Sequence, residues 1–461
     1  MSYTKNLAKY AVGLKYQDFP EEVIEQAKLL TLHTLGVSLA ACATGQGKDA
    51  IALGKAFGNG KNEATIVGDG SKVSCVQAGF VNGTLADILD WEDCSWTGHP
   101  SSGAIPAALA VGEWLKASGK EYITSVVAGY ELYERIAMAV QPSAAWDFVD
   151  RGWGLTSWVI YASAITAAKL LKLNAEQTEN VIGMAGALTT ISNPRVHQTK
   201  TNFYHYQWGV NCMNGVAAAL IAERGITPMP DFLDGERGHY WMAMSDKCDW
   251  EWFNKNLGKD YLIMETYFKH WPTNMWINQP LDGIDAIMKK YKVKAGDVEQ
   301  IIVRPEMQFR MAYRPDGYES IVDAEFSIPY CIAVLMYNPE PGPNWYTEEK
   351  FKDPKILELA GKVKAEGPVQ ALNDAFIQFR EGTYPCMSVE VKTKDGRSFK
   401  RDVPFPKGHP QNRMTVDEFK DRFRRAASFM LDSDKIEKAI DKIMKLEEVK
   451  DISEISDLVH I

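Results

Sequence analysis

Three consecutive segments decide the fold: AGFVNGTLADIL (78–89), DWEDCSWTGHPSSG (90–103) and AIPAALAVGEWL (104–115). The first is mainly apolar and the third is rich in alanine, so both predict helices that bury most of their surface. The middle segment carries glycine and proline and predicts a loop. Loops held on a rigid scaffold are where catalytic groups collect. The stretch therefore predicts a compact helical bundle that supports a polar loop.

Helical patterns extend on both sides of this stretch, over residues 1 to about 265. Pro20 opens one helix, because proline suits the first helical position and the acids at 21 and 22 suit the positive end of the helix dipole. Residues 158–171 are apolar nearly all round, which predicts burial among other helices. Asn174 and Gln177 predict a reciprocal cap on the next helix, and residues 215–223 predict another small-residue helix.

The pattern changes near Thr266. Residues 300–303 (QIIV) predict a short strand. Residues 388–393 alternate, Asp395-Gly396 turns the chain and residues 397–403 return, which is a strong hairpin signal. Helical stretches lie between the two, so residues 268–403 predict a smaller α+β domain.

The C-terminal segment returns to a helical pattern. Prolines and a glycine break the chain at residues 404–410, and Thr415 with Glu418 predicts a capping box. The predicted fold class is therefore mainly α with an α+β part. A large helical domain is formed by both chain ends, residues 1–267 and 404–461, and the α+β domain of residues 268–403 is inserted into it.

Composition and charge exclude several classes of protein. The 461 residues are 46% hydrophobic and 24% charged, as in globular proteins, which excludes a disordered or fibrous chain. A net charge of −9 without a basic block argues against a nucleic-acid partner. Seven scattered cysteines without a CxxC pair predict reduced thiols. The N-terminus lacks a signal-peptide pattern, and the longest apolar stretch is too short to span a bilayer. We expect a cytoplasmic protein without a membrane partner.

The loop of residues 90–103 is the sharpest candidate for chemistry. Asp90, Glu92, Asp93 and His99 lie within ten residues. Carboxylate and imidazole side chains are common general acids and bases in enzymes. The competing interpretation is structural, with Asp93 or Ser102 capping a helix and His99 exposed. A metal site built from the same four residues is a further alternative. The chain contains no HExxH pattern and its other histidines are scattered, so we predict no metal.

Two other segments carry cationic and aromatic side chains. Residues 193–208 contain Lys200, Tyr204 and His205, and Lys269 lies at the proposed domain junction. A surface loop with an aromatic cluster and a solvated lysine is the alternative. Lysines that converge on a cleft would suit a carboxylate-bearing substrate. Glycine-rich phosphate loops and a GxSxG elbow are absent, so no bound nucleotide is expected.

Taken together, the chain resembles the MmgE/PrpD family, which includes dehydratases, decarboxylases and epimerases of small carboxylic acids. The resemblance runs through the chain in order. Its motifs are 85–93 (LADILDWED), 99–101 (HPS), 167–177 (AAKLLKLNAEQ), 214–215 (NG) with 222–227 (AERGIT), 324–330 (AEFSIPY) and 407–410 (KGHP). Each motif is modest alone, but six in the correct order make chance similarity improbable.

The resemblance implies a helical domain from both chain ends and an α+β lid, which agrees with the boundaries above. It implies a homodimer and chemistry without cofactor or metal, at a site between the two domains. Carried over by motif, that site contains Asp90, Cys94, His99, Lys200, Lys269 and Tyr330.

The chain departs from the family pattern at two places. Relatives commonly have a histidine where this sequence has Trp153 or Gly154. The loop after Lys200 is longer and brings Tyr204 and His205, and His205 is a candidate replacement. We count Cys94, Trp153, Tyr204 and His205 as substrate-binding candidates. The aromatic content suggests a substrate that is less purely anionic than a tricarboxylate.

The resemblance also implies proton removal or delivery at a carbon next to a carboxylate or carbonyl. Lys200 and Lys269 would hold the carboxylate and stabilise the developing charge. Asp90 or His99 would be the base, and the other group, or Tyr330, would protonate the leaving hydroxyl or the carbon.

The leading prediction is a cofactor-independent hydro-lyase acting on a small hydroxy acid. An epimerase or decarboxylase acting on a different, more aromatic or alicyclic acid is the alternative. A non-catalytic ligand-binding homologue is the rival from another class.

Overall fold

The fold is that of a computed structural model. It describes residues 2–57, 61–95, 97–140, 153–190, 201–234, 248–307, 310–371, 374–375, 377–378, 381 and 383–461. The helices are α1 (Tyr3–Gly13), α2 (Glu21–Cys42), α3 (Gly45–Ala56), α4 (Cys75–Asp87), α5 (Ser101–Leu115), α6 (Gly119–Val140), α7 (Val159–Leu170), α8 (Ala175–Leu188), α9 (Phe203–Glu223), α10 (Asn278–Tyr291), α11 (Ile321–Glu325), α12 (Ile328–Tyr337), α13 (Glu348–Phe351), α14 (Pro354–Gly361), α15 (Val416–Ala427), α16 (Ser433–Met444) and α17 (Ser453–Ser456). The strands are β1 (Ala64–Thr65), β2 (Lys72–Val73), β3 (Asp93–Cys94), β4 (Tyr267–Phe268), β5 (Val298–Arg304), β6 (Val363–Ala365), β7 (Met387–Thr393) and β8 (Ser398–Val403). The predicted mainly α class with a small α+β part is confirmed.

Helices α4, α5, α7 and α9 pack together in the centre of the helical part. Small residues make this packing close. A side chain at Gly209 of α9 would overlap the carbonyl oxygen of Phe80 and the hydroxyl of Thr84 on α4. On the α4 side, a Cβ at Gly83 would crowd Cys212 of α9. The glycine pair therefore lets α4 and α9 approach closely, and the two helices bring their polar side chains together.

The α+β part is a four-stranded sheet with the order β6-β5-β7-β8. Strands β5 and β6 are parallel, and β7 is antiparallel to both β5 and β8. The predicted hairpin is β7–β8, and Met387, Val389 and Val391 are buried by the alternation of β7. Helix α10 covers this sheet, and α12 packs on α10.

The C-terminal helices return to the helical part. Helices α15 and α16 pack against α2, and α17 packs against α5. The capping boxes predicted at Asn174 and Thr415 are both formed. These contacts join both chain ends in one bundle, while the exact division at residues 267 and 403 stays a prediction.

One expectation about local structure is wrong. Residues 203–208, whose alternative interpretation was a surface loop, form the first turns of α9, and Tyr204, His205 and Trp208 are buried there. Helix α9 is therefore longer than the small-residue pattern of residues 215–223 indicated.

No single described helix is both long and apolar enough to cross a membrane. Helices α2 and α3 meet the length and composition test only together, and they are bent by 95° relative to each other.

Candidate active site

The polar loop begins where α4 ends, at Asp87. Asp90 follows in the left-handed region with φ 44°, and its backbone N–H donates to the Asp87 carbonyl at 2.8 Å. Among residues with a side chain, aspartate is one of the few that adopt this conformation readily. The reversal turns the chain back on the end of α4, so that Asp87, Asp90 and Glu92 converge, all three fully buried.

A short antiparallel pairing of two residues on each strand brings Lys269, which is distant in sequence, next to this loop. Strands β3 and β4 pair antiparallel, with Asp93 opposite Phe268 and Cys94 opposite Tyr267. The backbone N–H of Lys269 then donates to the Glu92 carbonyl at 3.2 Å. The ladder fixes the Lys269 backbone directly beside the polar loop.

The C-terminal part of the chain forms hydrogen bonds with β4 and with the residues that follow it. Gly408 has φ +95°, and its carbonyl accepts from the Phe268 N–H at 3.1 Å, while a side chain at Gly408 would overlap the Phe268 carbonyl oxygen. Arg422 of α15 donates to the carbonyls of Lys269 and His270. The KGHP motif therefore has a structural reason, which is close contact with β4, the strand directly before Lys269.

The Lys269 ammonium is surrounded by polar groups. It donates to Asp90 Oδ1 and, at 2.6 Å, to Glu92 Oε1, and it lies 3.4 Å from His99 Nε2. Burial opposes its charge, but Asp90 and Glu92 hold the pKa of Lys269 above its ordinary value. Burial raises the pKa of Glu92 to about 7, although Lys269 partly offsets that effect. Near neutral pH the lysine is charged and Glu92 can release or accept a proton.

His99 is fixed by two carboxyl groups and an indole ring. Its Nδ1 lies 2.7 Å from Asp87 Oδ1 and 2.7 Å from Glu92 Oε1. Its ring stacks on Trp208 at 4.3 Å with an interplanar angle of 4°. Burial and Lys269 oppose its charge, but Glu92 and Asp87 raise the pKa of His99 well above its ordinary value. His99 is therefore an oriented imidazolium, buried rather than exposed.

Asp87 joins His99 to a second histidine. Its Oδ2 lies 2.8 Å from Nδ1 of His205, and Nε2 of that ring lies 3.1 Å from Glu325 Oε1 without hydrogen-bond geometry. Burial opposes the charge of His205, but Glu325 and Asp87 raise its pKa to about 10. Burial opposes ionisation of Asp87, but hydrogen bonds with His205 and His99 lower its pKa to about 2. One carboxylate therefore orients both imidazoles, as a buried aspartate does for a catalytic histidine.

Sequence reasoning missed Asp87 and Glu325. Both stand inside motifs of the family resemblance, at positions 85–93 and 324–330, yet neither received a role. Burial raises the pKa of Glu325 to about 8, partly offset by His205. The sequence offered little signal: Asp87 is a single carboxylate in a mainly apolar run, and Glu325 follows another acid, Asp323, by two residues.

The other predicted site residues lie in different surroundings. Cys94 is a buried thiol whose pKa is raised by burial, and its Sγ lies 3.3 Å from Met275 Sδ. Tyr204 packs edge-on against His205 and Trp208. Trp153 is half-buried against the core. Lys200 lies outside the described residues.

The Tyr330 side chain does not lie where a proton donor was expected. Its hydroxyl donates to the Trp345 carbonyl, and its ring packs against Tyr318 and Tyr346. No described contact joins Tyr330 to the Lys269 cluster, since helix α12 directs its side chain into the aromatic core of the α+β part.

The same carboxyl groups are close enough to hold a metal, because one ligand atom each of Asp87, Asp90, Glu92 and His99 lies within 4.8 Å of the others. The metal site considered from the sequence contained Asp93 rather than Asp87. Asp93 instead accepts hydrogen bonds from the Ser101 N–H and the Tyr130 hydroxyl. The Lys269 ammonium contacts three of the four groups. A metal ion would have to displace this cation, which is already paired with Asp90 and Glu92.

Comparisons with known proteins agree over nearly the whole chain. Residues 5–252 match the MmgE/PrpD N-terminal domain and residues 271–447 match the MmgE/PrpD C-terminal domain. Cis-aconitate decarboxylase of Homo sapiens is 23% identical, over 99% of this chain and 94% of that protein. The Aspergillus terreus protein of the same name is 21% identical, over 99% and 96%. The mitochondrial 2-methylcitrate dehydratase of Yarrowia lipolytica is 24% identical, over 85% and 77%.

Proposed function

Because the chain belongs to the MmgE/PrpD family, we propose that it is a lyase that removes a proton next to a carboxylate or carbonyl of a small carboxylic acid, with loss of water. The relatives are named as decarboxylases and dehydratases, both of which are lyases. The observation that carries the proposal is the buried cluster of Lys269, Asp90, Glu92 and His99. It combines a fixed cation with an oriented acid and a carboxylate that can accept a proton.

Asp90 is the proposed base. Its Oδ1 is held by Lys269, while its Oδ2 has no hydrogen-bond partner in the described part of the chain. Removing a proton from carbon leaves enolate-like charge, which needs a preorganised cation close by. Lys269 supplies that cation, and Lys200 stays a proposed second one.

His99 is the proposed acid. Its pKa is raised by Glu92 and Asp87, so it enters the reaction protonated and can donate to a leaving hydroxyl. Asp87 keeps the ring oriented by binding Nδ1, so that Nε2, which lies beside Lys269 and Asp90, is the nitrogen that would donate the proton. Loss of water then needs one base and one acid, and both are in contact with Lys269 or its partners.

Decarboxylation is the second candidate, because cis-aconitate decarboxylases of Homo sapiens and Aspergillus terreus align over 99% of this chain. In that reaction CO2 would leave and His99 would protonate the carbon. Epimerisation would use the same proton removal followed by return to the other face.

The test is proton NMR in D2O with a panel of 2-methylcitrate, cis-aconitate, citrate, malate, aspartate-derived imines and aromatic or alicyclic hydroxy acids. Deuterium entry next to a carboxylate with loss of water supports the proposal. Loss of CO2 supports the second candidate, and exchange without net conversion points to an epimerase. Ligand-dependent thermal stabilisation without exchange would overturn catalysis and favour a binding protein.

A homodimer and a cytoplasmic location also stay predictions. Helix α9 supports the homodimer, because Phe203 is exposed and Tyr206, Val210 and Met213 are partly exposed along one apolar stripe. Light scattering that gives a 51.6 kDa particle at micromolar concentration would exclude the homodimer.

A further inference from the structure

Three buried carboxyl groups of the site keep spare hydrogen-bonding capacity. Asp90 Oδ2, Glu92 Oε2 and both carboxyl oxygens of Glu325 accept no hydrogen bond from the described residues, and all three residues are fully buried. His205 Nε2, which faces Glu325 at 3.1 Å, is also without a hydrogen bond in this part of the chain. Buried polar atoms are almost always paired in proteins, so these atoms indicate a ligand that completes them.

The unpaired atoms define the chemistry of that ligand. Ionised carboxylates accept hydrogen bonds and cannot donate them. A protonated carboxyl, the form that the raised pKa of Glu325 favours, offers one donor and one acceptor. A hydroxyl group complements both forms, whereas a ligand carboxylate satisfies at most the donor of the protonated form.

The charge balance of the cluster leaves room for an anionic ligand. Asp87, Asp90, Glu92 and Glu325 are accompanied by His99, His205, Lys269 and Arg310, all of them buried. Because burial raises the pKa of both Glu92 and Glu325, the cationic groups outnumber the carboxylates that stay ionised near neutral pH. A carboxylate of the ligand can therefore be buried here without leaving its charge unpaired.

We propose that Glu325 and His205 form a subsite for a hydroxyl group, and that the substrate is an acid whose hydroxyl group is bound there. This inference rests on the proposed function and deepens it, because the subsite lies next to Asp87, which orients the proposed acid. The carboxylate of the ligand faces Lys269, and its hydroxyl-bearing arm faces Glu325.

The experiment measures affinity by isothermal titration calorimetry for pairs of acids that differ by one hydroxyl. The probes are malate with succinate and citrate with propane-1,2,3-tricarboxylate, together with tartrate and gluconate. The wild-type protein should bind the hydroxylated member of a pair about tenfold more tightly, the size of one hydrogen bond in a buried site.

Variants at Glu325 locate the effect. Glu325→Leu should reduce the preference within a pair to less than about threefold, because it removes both acceptors. Glu325→Gln should keep much of it, because the amide still donates and accepts. Glu131→Gln is the matched control: Glu131 is equally buried, its pKa is raised to about 7 by burial, and its partners are Arg135 and the Ile263 N–H, outside the cluster. Melting temperatures show that each variant is folded.

The outcomes separate this inference from the proposed function. Equal affinity within each pair, failure of all hydroxylated acids to bind, or an unchanged preference in Glu325→Leu overturns the hydroxyl subsite. If the binding experiments overturn the subsite but deuterium still exchanges into cis-aconitate or another tricarboxylate, the lyase proposal stands. The hydroxyl preference without any exchange leaves the subsite standing and overturns the lyase proposal.

Discussion

Two lysines, the half-buried Lys169 and the fully buried Lys269, differ in what surrounds them. Lys169 of α7 donates to the carbonyls of Ala11, Val12 and Leu14, each at 2.8 Å, and so holds the end of α1. Lys269 instead faces carboxylates and an imidazole. Burial lowers the pKa of Lys169 to about 8, whereas Asp90 and Glu92 raise that of Lys269.

The difference separates a structural lysine from a chemical one. Backbone carbonyls accept hydrogen bonds from an ammonium group but cannot exchange protons with it. Carboxylates and imidazole can exchange protons and leave oxygens for a ligand. The partners of a buried charge, rather than its burial, therefore indicate which kind it is.

The largest expected effect follows Lys269→Met. Removing one partner of a buried ion pair costs about 3–5 kcal/mol, because Asp90 and Glu92 would keep charges without a cation. Turnover should fall by about 10³ or more. Urea unfolding and turnover of the substrate found by deuterium exchange measure the two effects, and retention of either the stability or the activity would contradict the assigned role.

Asp90→Asn should affect activity more selectively. If Asp90 is the base, turnover falls by about 10²–10⁴, while the amide keeps the hydrogen bond with Lys269 and the unfolding free energy changes little. The rate of deuterium entry into the substrate is the measurement. Turnover within threefold of wild type would assign the base to another group, first of all Glu92.

Lys169→Met should show the reverse pattern. It leaves three carbonyls at the end of α1 without their donor, a loss of about 1–3 kcal/mol, and turnover should match wild type. Circular dichroism during urea unfolding measures the stability. A loss of turnover in a folded Lys169→Met protein would break the distinction between the two lysines.

The last expected effect is a pH dependence. The folded pKa of Lys169, about 8, lies below that of an unfolded lysine, about 10.4. Between these values the unfolded state binds more protons, so this group adds stability as pH rises. The unfolding free energy of wild type minus that of Lys169→Met should therefore increase from about pH 8 to pH 10. Lys269 adds no such slope there, since its raised pKa keeps it charged in both states; a flat difference would contradict the lowered pKa of Lys169.

Sequence patterns predicted the fold class well, because helix caps and strand alternation are local. The Thr415 capping box and the hairpin of β7 and β8 needed no information from distant residues. The polar loop and Lys269 were also found, although their pairing through β3 and β4 was not.

The parts of the site that were missed depend on long-range packing. Asp87 gains its importance from His205, which lies 118 residues away and reaches it because two glycines let α4 and α9 approach. Glu325 gains its importance from the same ring. Tyr330 was assigned by motif, but the direction of its side chain is set by the packing of α12, which spacing does not reveal.

The ladder between β3 and β4 has a consequence for synthesis on the ribosome. Chains grow from the N-terminus, and domains tend to fold in that order. Asp90 and Glu92 emerge long before Lys269, and the residues that secure Lys269, Gly408 and Arg422, emerge later still. A nascent chain ending before residue 269 has these acids but not the cation that lets them be buried, so we expect this loop to stay solvated and the site to assemble only after residue 422 has left the ribosome.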